Sequence, residues 1–159
     1  MPHQQTIVCA TPLGHWAIEL SSCGIYRLGV TTDPVTAAPV TAASTLYQQQ
    51  LINYLNGKTQ HIDLPLDVHG TPFQKTVWAA LQNILYGTTI TYAQLAVRIG
   101  QPTAVRAVAR ACAANPIALA IPCHRVIRTD GHLGGYRWGL PLKQQLLTLE
   151  HTTIQEAAA

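Results

Sequence analysis

The chain has 159 residues, which is enough for one compact domain or two small domains that share a core. Hydrophobic residues make up 48% and charged residues 11% of it, so the composition excludes a disordered acidic tail and a polybasic arm. No apolar run approaches the roughly 20 residues that cross a bilayer, and the first residues lack the basic and apolar regions of a signal peptide. We therefore expect a cytoplasmic protein with no membrane contact.

The net charge of +3 is distributed unevenly along the chain. Residues 1–70 carry two basic and four acidic groups, a net of −2, whereas residues 71–159 carry eight basic and three acidic groups, a net of +5. A basic segment in a chain with so little charge attracts polyanions by releasing their counterions. The alternative is a solvated basic surface without a partner.

The first part of the chain has the pattern of a small sheet. Three short apolar runs, TIVCAT, HWAIEL and IYRLGV, lie between residues 6 and 30 and are separated by turn residues, which predicts an antiparallel meander. Residues 31–44 predict a loop, and residues 46–57 predict a helix with Leu46 and Leu51 on one face, ended by Gly57. Residues 62–68 contain Pro65 and predict a last strand or a linker.

The second part has helical periodicity. Residues 72–85 predict a helix with Pro72 in its first turn and Gly87 after it; residues 92–100 and 102–115 predict two more. The last two, joined by a turn that contains Gly100, form a candidate helix-turn-helix, although helical hairpins also occur in proteins that never bind DNA. The predicted fold is of the α/β (α+β) class, with a small strand-rich domain at 1–69 that includes one helix. A mostly helical domain at 70–159 follows it.

The helix predicted at 102–115 combines arginines with small residues. Arg106 and Arg110 are four residues apart and are surrounded by alanines. An alanine-lined face allows close approach of the backbone, which favours phosphate contact or a minor groove over base reading in the major groove. The alternative is that alanine is simply the best helix former.

The sequence contains four cysteines, of which Cys123 is the best candidate nucleophile. It follows Pro122 in an apolar stretch at 118–126 that predicts extended chain, and His124 and Arg125 come directly after it. Cations and a histidine base convert a thiol into a thiolate. In extended chain His124 points away from Cys123, so contact needs a bridging water or a turn. Glu150 could orient the imidazole, as in other triads; the alternatives are an inert buried cysteine, a surface histidine and a helix-end glutamate.

These residues carry a resemblance to a known family. The segments involved are 121–126 (IPCHRV), 134–139 (GGYRWG), 143–150 (KQQLLTLE), 70–74 (GTPFQ) and the single residues Asn115, Pro116, Trp78, Gly87, Tyr92 and Arg106. The chain resembles the O6-alkylguanine-DNA alkyltransferases, also called methylated-DNA--protein-cysteine methyltransferases, and most of all the alkyltransferase half of the bacterial adaptive-response proteins. The resemblance covers nearly all of residues 70–150 and is weaker before them, where it rests on 11–14 (TPLG).

The resemblance implies direct DNA repair by a single displacement. The thiolate of Cys123 would attack the alkyl carbon of O6-alkylguanine, and of O4-alkylthymine, and would keep the alkyl group as a thioether, so that each molecule acts once. His124 would deprotonate Cys123 through a water molecule while Glu150 orients His124. Asn115 would be a hinge next to the recognition helix, and Tyr92 would press on a phosphate and donate its hydroxyl to the base.

The resemblance also implies how the protein holds its partner, double-stranded alkylated DNA. The helix-turn-helix would bind the minor groove, and the damaged base would be flipped out while Arg106 takes its place in the stack. The implied DNA-binding residues are Arg106, Tyr92, Ala107, Arg110 and Arg128. The implied pocket residues are Cys112, Val126, Leu133, Gly134, Tyr136, Arg137 and Trp138. We expect a monomer that needs no cofactor.

The sequence departs from the family pattern at a few positions. Trp138 occupies a position that is small in some relatives, which suggests a pocket that handles methyl groups better than bulky adducts; benzylguanine reacting equally fast with wild type and Trp138→Gly would contradict this. Some members bind zinc near the amino terminus. Cys9, Cys23 and His15 lack that spacing, so we expect no metal.

Two other functions remain as alternatives. A cysteine hydrolase that uses Cys123 and His124 would need an oxyanion hole and would turn over repeatedly without DNA. A helix-turn-helix regulator or lesion sensor would bind DNA without needing Cys123. Both would behave differently from an alkyltransferase when mixed with methylated duplex DNA.

Overall fold

A computed structural model describes residues 5–35 and 41–159. The described residues form two units: one contains residues up to His69 together with Pro116–Ala118, and the other contains Gly70–Asn115 and Leu119–Ala159. Three residues of the segment predicted as the second domain thus lie with the first unit. Within the described ranges, no helix has the length and apolar character needed to span a bilayer.

The first unit contains the predicted meander. Strands β1 (Gln5–Thr11), β2 (Gly14–Leu20) and β3 (Ile25–Val30) form an antiparallel sheet in the order β1-β2-β3. On β2 alternate residues turn inward, because side chains on a strand point to opposite faces, whereas β1 buries three consecutive residues, Ile7, Val8 and Cys9. Trp16 and Ile18, two residues apart on β2, are both almost completely buried. The predicted three-strand arrangement is confirmed.

Helix α1 (Ala42–Leu55) follows the sheet and begins four residues earlier than predicted. Thr41 caps it in a reciprocal box with Ser44, whose hydroxyl accepts from the Thr41 backbone N–H. The prediction of a loop up to residue 44 is therefore wrong for 42–44, and residues 36–40 of that loop lie outside the described residues. Leu51 is buried as expected, whereas Leu46 is 51% exposed.

The segment predicted at 62–68 as a last strand or a linker contributes one isolated bridge, between Leu66 and Ile25 of β3. The Pro65 carbonyl accepts from the Ile25 N–H at 2.9 Å. This segment therefore contacts the sheet at one point without becoming a full strand.

The second unit is mostly helical, as predicted. Its elements are α2 (Pro72–Leu81), β4 (Ile90–Thr91), α3 (Tyr92–Arg98), α4 (Val105–Ala113), β5 (Val126–Ile127) and α5 (Leu140–Ala158). Strands β4 and β5 pair in parallel. The indole of Trp78 on α2 donates to the Ala111 carbonyl of α4 at 2.8 Å. Helices α3 and α4 form the predicted helix-turn-helix, and Gly100 takes a left-handed conformation in the turn between them.

Several boundaries in this unit differ from the prediction: α3 ends at Arg98 instead of residue 100, and α4 spans Val105–Ala113 instead of 102–115. Helix α2 ends at Leu81 instead of residue 85, because the next amide groups, those of Asn83 and Ile84, bond three residues back in tighter turns. The stretch predicted as extended at 118–126 curls into a short 3-10 helix, Cys123–Arg125. The Arg125 N–H donates to the Pro122 carbonyl at 3.1 Å, so a turn holds the reactive segment.

Candidate active site

Cys123 lies at the start of the 3-10 helix and lines a cavity of about 760 Å³. Its side chain is almost completely buried, with 4% of the residue exposed. The Asn115 side-chain amide, fully buried two residues after α4, donates to the Cys123 sulfur at 3.2 Å and to the Ile121 carbonyl at 2.7 Å. The predicted hinge residue thus fixes both the sulfur and the chain that leads to it.

The Cys123 sulfur is a neutral thiol at rest. Burial raises the pKa of Cys123 to about 11, and the Asn115 hydrogen bond and the charges of Lys143 and Arg137 oppose that rise only in part. Arg125, the neighbouring cation that the sequence suggested as an activator, pairs with Glu150, and the nearby Arg128 pairs with Asp130. The expectation that neighbouring arginines ionise the sulfur is therefore wrong, and its reaction needs a base.

His124 has the geometry of that base. Its Nε2 lies 2.7 Å from Oε1 of Glu150, and both residues are essentially unexposed. A carboxylate with a depressed pKa only accepts, so Nε2 carries the hydrogen and Nδ1 carries the lone pair. Nδ1 is buried and has no hydrogen-bond partner within residues 5–35 and 41–159. Burial lowers the pKa of His124 against the opposing effect of Glu150, so the imidazole is neutral at pH 7.

Glu150 on α5 accepts hydrogen bonds from three other groups of the second unit as well. Arg125 donates from Nε to both carboxylate oxygens, at 3.1 and 3.0 Å, and from Nη2 to Oε1 at 2.8 Å. The Gly87 backbone N–H donates to Oε2 at 3.1 Å. Burial alone would raise the pKa of Glu150, but the hydrogen bonds and charges of His124 and Arg125 lower that pKa to about 2. The carboxylate is thus permanently charged.

Tyr92 begins α3 and lines the same cavity. Burial raises its pKa to about 12, so its hydroxyl keeps its proton and is a hydrogen-bond donor at neutral pH. Gly134 allows the ring to come close, since a Cβ at that position would lie 3.0 Å from both Cε2 and the hydroxyl oxygen of Tyr92. The predicted pocket glycine therefore has a steric reason for its identity.

The cavity wall contains four of the seven predicted pocket residues, namely Cys112, Leu133, Gly134 and Tyr136. Arg110 and Arg128, predicted to bind DNA, also line it. Of the remaining wall residues, Gly135 lies in the segment 134–139 that carried the resemblance, whereas the sequence did not indicate Ala109, Ala113, His132 and Leu140. Burial raises the pKa of Cys112 to about 12, so this second thiol in the cavity is also protonated at neutral pH.

The other three predicted pocket residues are not among the side chains that line the cavity. Val126 is buried, and its carbonyl accepts from Lys143. Arg137 donates to the Asn115 carbonyl at 3.3 Å and stacks over Trp138. Trp138 packs edge-on against Tyr136 with ring centroids 5.3 Å apart, so it supports the wall from behind.

Lys143 is a site residue to which the sequence assigned no role. It is completely buried, and its ammonium donates to the carbonyls of Val126, Leu133 and Gly135. Burial lowers the pKa of Lys143 to about 8, which still leaves it charged at neutral pH. The lysine thereby holds the wall segment around Leu133. The signal in the sequence was a lone charge between Leu142 and Leu146, both of which are buried on the same helix.

The remaining predicted DNA-binding residues lie on α4. Arg106 and Arg110 are exposed and Ala107 is half-buried. Arg128 is also exposed and forms an ion pair with Asp130 at 2.9 Å. The exposed guanidinium groups on α4 make its outer surface basic.

The four cysteines are free thiols. In the described part of the chain, no three side chains of the His, Cys, Asp and Glu types come together in a way that could hold a metal ion. A thiol and a protonated phenol line the cavity, and a buried neutral imidazole with a carboxylate behind it follows the thiol in the chain.

Comparison with known proteins finds close relatives. Residues 72–152 match the family model described as 6-O-methylguanine DNA methyltransferase, DNA binding domain. The chain is 53% identical over 151 residues to the bifunctional transcriptional activator/DNA repair enzyme Ada of Escherichia coli, covering 87% of this chain but 43% of that protein. It is 52% identical over 107 residues to the methylated-DNA--protein-cysteine methyltransferase of Methanosarcina barkeri, covering 67% of this chain and 68% of that protein.

A solved structure shares the fold over almost the whole chain. The crystal structure of Mycobacterium tuberculosis OGT in complex with DNA superposes with a TM-score of 0.83 at 36% identity, covering 92% of each chain. The predicted fold class is confirmed by this similarity and by the sheet and helices described above.

Proposed function

The chain belongs to the 6-O-methylguanine DNA methyltransferase family, and from that premise we propose that it repairs DNA by transferring an alkyl group irreversibly to Cys123. The substrate is O6-alkylguanine, methylguanine above all, and also O4-alkylthymine. One observation carries the proposal: the Cys123 sulfur lines a large cavity, and the buried His124–Glu150 pair follows it directly in the chain. The cavity volume is in the range of ordinary small-ligand sites.

The transfer begins with proton removal. A water molecule takes the thiol proton of Cys123 and passes a proton to Nδ1 of His124, and the imidazolium that forms is stabilised by Glu150. The sulfur then attacks the alkyl carbon. The sulfur–carbon bond forms as the carbon–O6 bond breaks, and the electron pair of the broken bond remains on the base.

The departing base becomes neutral when it takes up a proton, which balances the one that His124 received from the thiol; until then a hydrogen bond from a phenol hydroxyl stabilises its negative charge. Tyr92 fits this role because it lines the cavity and its raised pKa keeps the hydroxyl protonated. The alkyl group remains on Cys123 as a thioether, which ordinary cellular reductants do not reverse. Each molecule therefore reacts once.

Double-stranded DNA binds through the helix-turn-helix in its minor groove, with the damaged base flipped into the cavity. The exposed Arg106 and Arg110 and the half-buried Ala107 on α4 support this placement, as does the DNA complex of the M. tuberculosis relative. Arg106 fills the place of the flipped base, which offsets part of the cost of unstacking. Arg110 and Arg128 at the cavity wall contact phosphates on either side of the lesion.

The protein acts as a monomer in the cytoplasm. The second unit of a single chain supplies all the reacting groups, so no second copy is needed. Four free thiols suit a reducing compartment.

The test mixes the protein with duplex DNA that contains one O6-methylguanine and measures intact protein mass. We expect a gain of one methylene's mass, on the peptide that contains Cys123, in one turnover. Cys123→Ser should gain nothing and should still bind the duplex, because it replaces a single buried atom.

The alternatives give different results in the same experiment. A cysteine hydrolase would leave the protein mass unchanged and would cleave ester or peptide substrates repeatedly. A regulator would bind the duplex without gaining mass. Either result would overturn the proposed function.

A further inference from the structure

The carboxylate of Glu150 is shared between two nitrogen-rich side chains that follow one another in the chain. His124 donates from Nε2 to Oε1, while Arg125 donates to Oε1 and Oε2 and also reaches the Ile84 carbonyl from Nη1 at 2.7 Å. All three side chains are at most 4% exposed. Arg125 thus forms a fixed fork on the oxygens that hold the imidazole.

The charges in this cluster balance only when the imidazole is neutral. Arg125 contributes one positive charge and Glu150 one negative charge, so a proton on His124 would leave a net positive charge in a buried site. Lys143, on the same helix as Glu150, adds another positive charge that lowers the pKa of His124. Cys123 precedes His124 and is an uncharged thiol, and Tyr86 faces Arg125 with its ring centroid 5.3 Å from the guanidinium carbon.

We propose that Arg125 is a positioning residue of the alkyl-transfer reaction: it fixes the Glu150 carboxylate against His124 Nε2 and keeps the resting imidazole neutral, with Nδ1 free to accept a proton. The expected effect on the rate of alkyl transfer rests on the proposed function, whereas the expected effect on the protonation of His124 does not. Because Arg125 neutralises the carboxylate, Glu150 orients the base without converting it to an imidazolium before the substrate arrives. The imidazolium forms only when the sulfur has lost its proton, and the two new charges then compensate each other.

Removing the guanidinium has a definite expected effect. With Arg125→Gln, the full negative charge of Glu150 acts on His124, so the imidazole binds a proton at a higher pH. Transfer requires a neutral imidazole, so the acidic limb of its pH–rate profile should move upward by about one pH unit or more. With Arg125→Lys the positive charge remains, but the paired hydrogen bonds from the guanidinium to both oxygens of Glu150 are lost. The transfer rate should fall several-fold with little change in the midpoint.

The experiment combines two measurements on the full chain. Single-turnover methyl transfer from saturating methylated duplex is followed between pH 5 and pH 9, a range chosen around the usual histidine pKa of about 6.5. The titration of the His124 ring is followed by NMR without DNA. Lys58→Gln, which removes one exposed positive charge from the first unit, is the matched control and should change neither profile.

An upward shift of both midpoints in Arg125→Gln, with Lys58→Gln unchanged, supports the proposal. A folded Arg125→Gln protein with the wild-type midpoint in both measurements overturns it. If that variant does not fold, Arg125→Lys decides: a wild-type transfer rate overturns the positioning role, and a several-fold loss supports it. Failure of the proposed function would be recognised separately, as absence of methyl transfer by wild type, while the NMR titration still tests Arg125.

Discussion

The position of the Cys123 thiol in the cavity and the ionisation of that thiol place opposite requirements on its surroundings. The sulfur must lie inside a cavity to meet a flipped nucleobase, but the burial of the thiol raises its pKa to about 11 and suppresses the thiolate. The structure meets both requirements by leaving the thiol neutral and placing a neutral imidazole next to it in the chain. Nucleophile formation is thereby coupled to proton transfer instead of being a permanent state.

The raised pKa of Cys123 also predicts how the rate of its alkylation by a simple thiol reagent depends on pH. Iodoacetamide reacts with thiolates, and below the raised pKa the thiolate fraction grows about tenfold per pH unit. The rate of Cys123 alkylation, measured by peptide mass spectrometry, should therefore keep rising from pH 7 to pH 10. A plateau below pH 9 would indicate a preformed thiolate and would contradict the raised pKa.

The adjacent glycines 134 and 135 allow a matched test of the cavity wall. Gly134→Ala puts a Cβ 3.0 Å from the Tyr92 ring in a left-handed backbone conformation, whereas a Cβ at Gly135 meets nothing within 4 Å. We expect Gly134→Ala to displace the phenol and reduce the methyl-transfer rate by tenfold or more, on the order of 1.4 kcal/mol in activation free energy. Gly135→Ala should stay within about twofold of wild type. Equal rates for the two variants would contradict the contact.

Individual residues were predictable from sequence where a motif surrounds them. Cys123, His124 and Asn115 lie in or beside a short run of unusual composition, and their proximity in the chain made the cluster visible. Lys143 was missed as a site residue, and Arg125 was assigned to the sulfur of Cys123 instead of to Glu150, for a physical reason. Their partners are backbone carbonyls and a carboxylate 25 residues away, and no local pattern encodes such contacts.

At the scale of elements, the turn after α2 is held by α5. The Gly87 N–H donates to Glu150, and a Cβ at Gly87 would lie 2.5 Å from Cγ1 of Ile154, one turn further along α5. Ile154, near the end of α5, therefore packs against the segment that leads into β4.

Gly87→Ala should destabilise the protein more than the same change at Gly100. Both glycines have a left-handed backbone, which costs an alanine about 1–2 kcal/mol. Only Gly87→Ala also forces Ile154 to move, which adds roughly 1–3 kcal/mol. The free energy of unfolding in urea measures the difference. Equal losses at the two positions would show that Ile154 adjusts without cost.

Elements were predictable to the extent that local sequence determines them. The meander and the helix-turn-helix are encoded by apolar periodicity and turn residues. The start of α1 was missed because its cap uses Ser44 in place of the glutamate or glutamine that usually signals a capping box. The turn at Cys123–Arg125 was missed because Pro122 restricts only the residue before it to extended geometry and leaves the conformation of the next three residues open.

For the whole molecule, the basic charge of residues 71–159 has a measurable consequence. DNA affinity should fall as salt increases: the logarithm of the association constant falls with the logarithm of salt concentration with a slope of roughly −0.9 per phosphate neutralised. Arg110→Ala removes one exposed guanidinium from α4 and should reduce the magnitude of that slope by about 0.9, equally for methylated and unmethylated duplexes. Arg27→Ala on β3 is the control. An unchanged slope for Arg110→Ala would exclude a phosphate contact at this residue.

The sharing of Glu150 among three segments also bears on reagent design. A folded but unreactive variant, a decoy that occupies lesions in DNA, is a useful probe. Glu150, whose carboxylate holds His124, is one residue that could be removed to make it. Yet Glu150 also anchors Arg125 and the Gly87 turn, so its loss would damage the scaffold together with the chemistry. Replacing the sulfur of Cys123 disturbs the hydrogen bond from Asn115 but leaves those anchors in place, and is the safer way to make such a decoy.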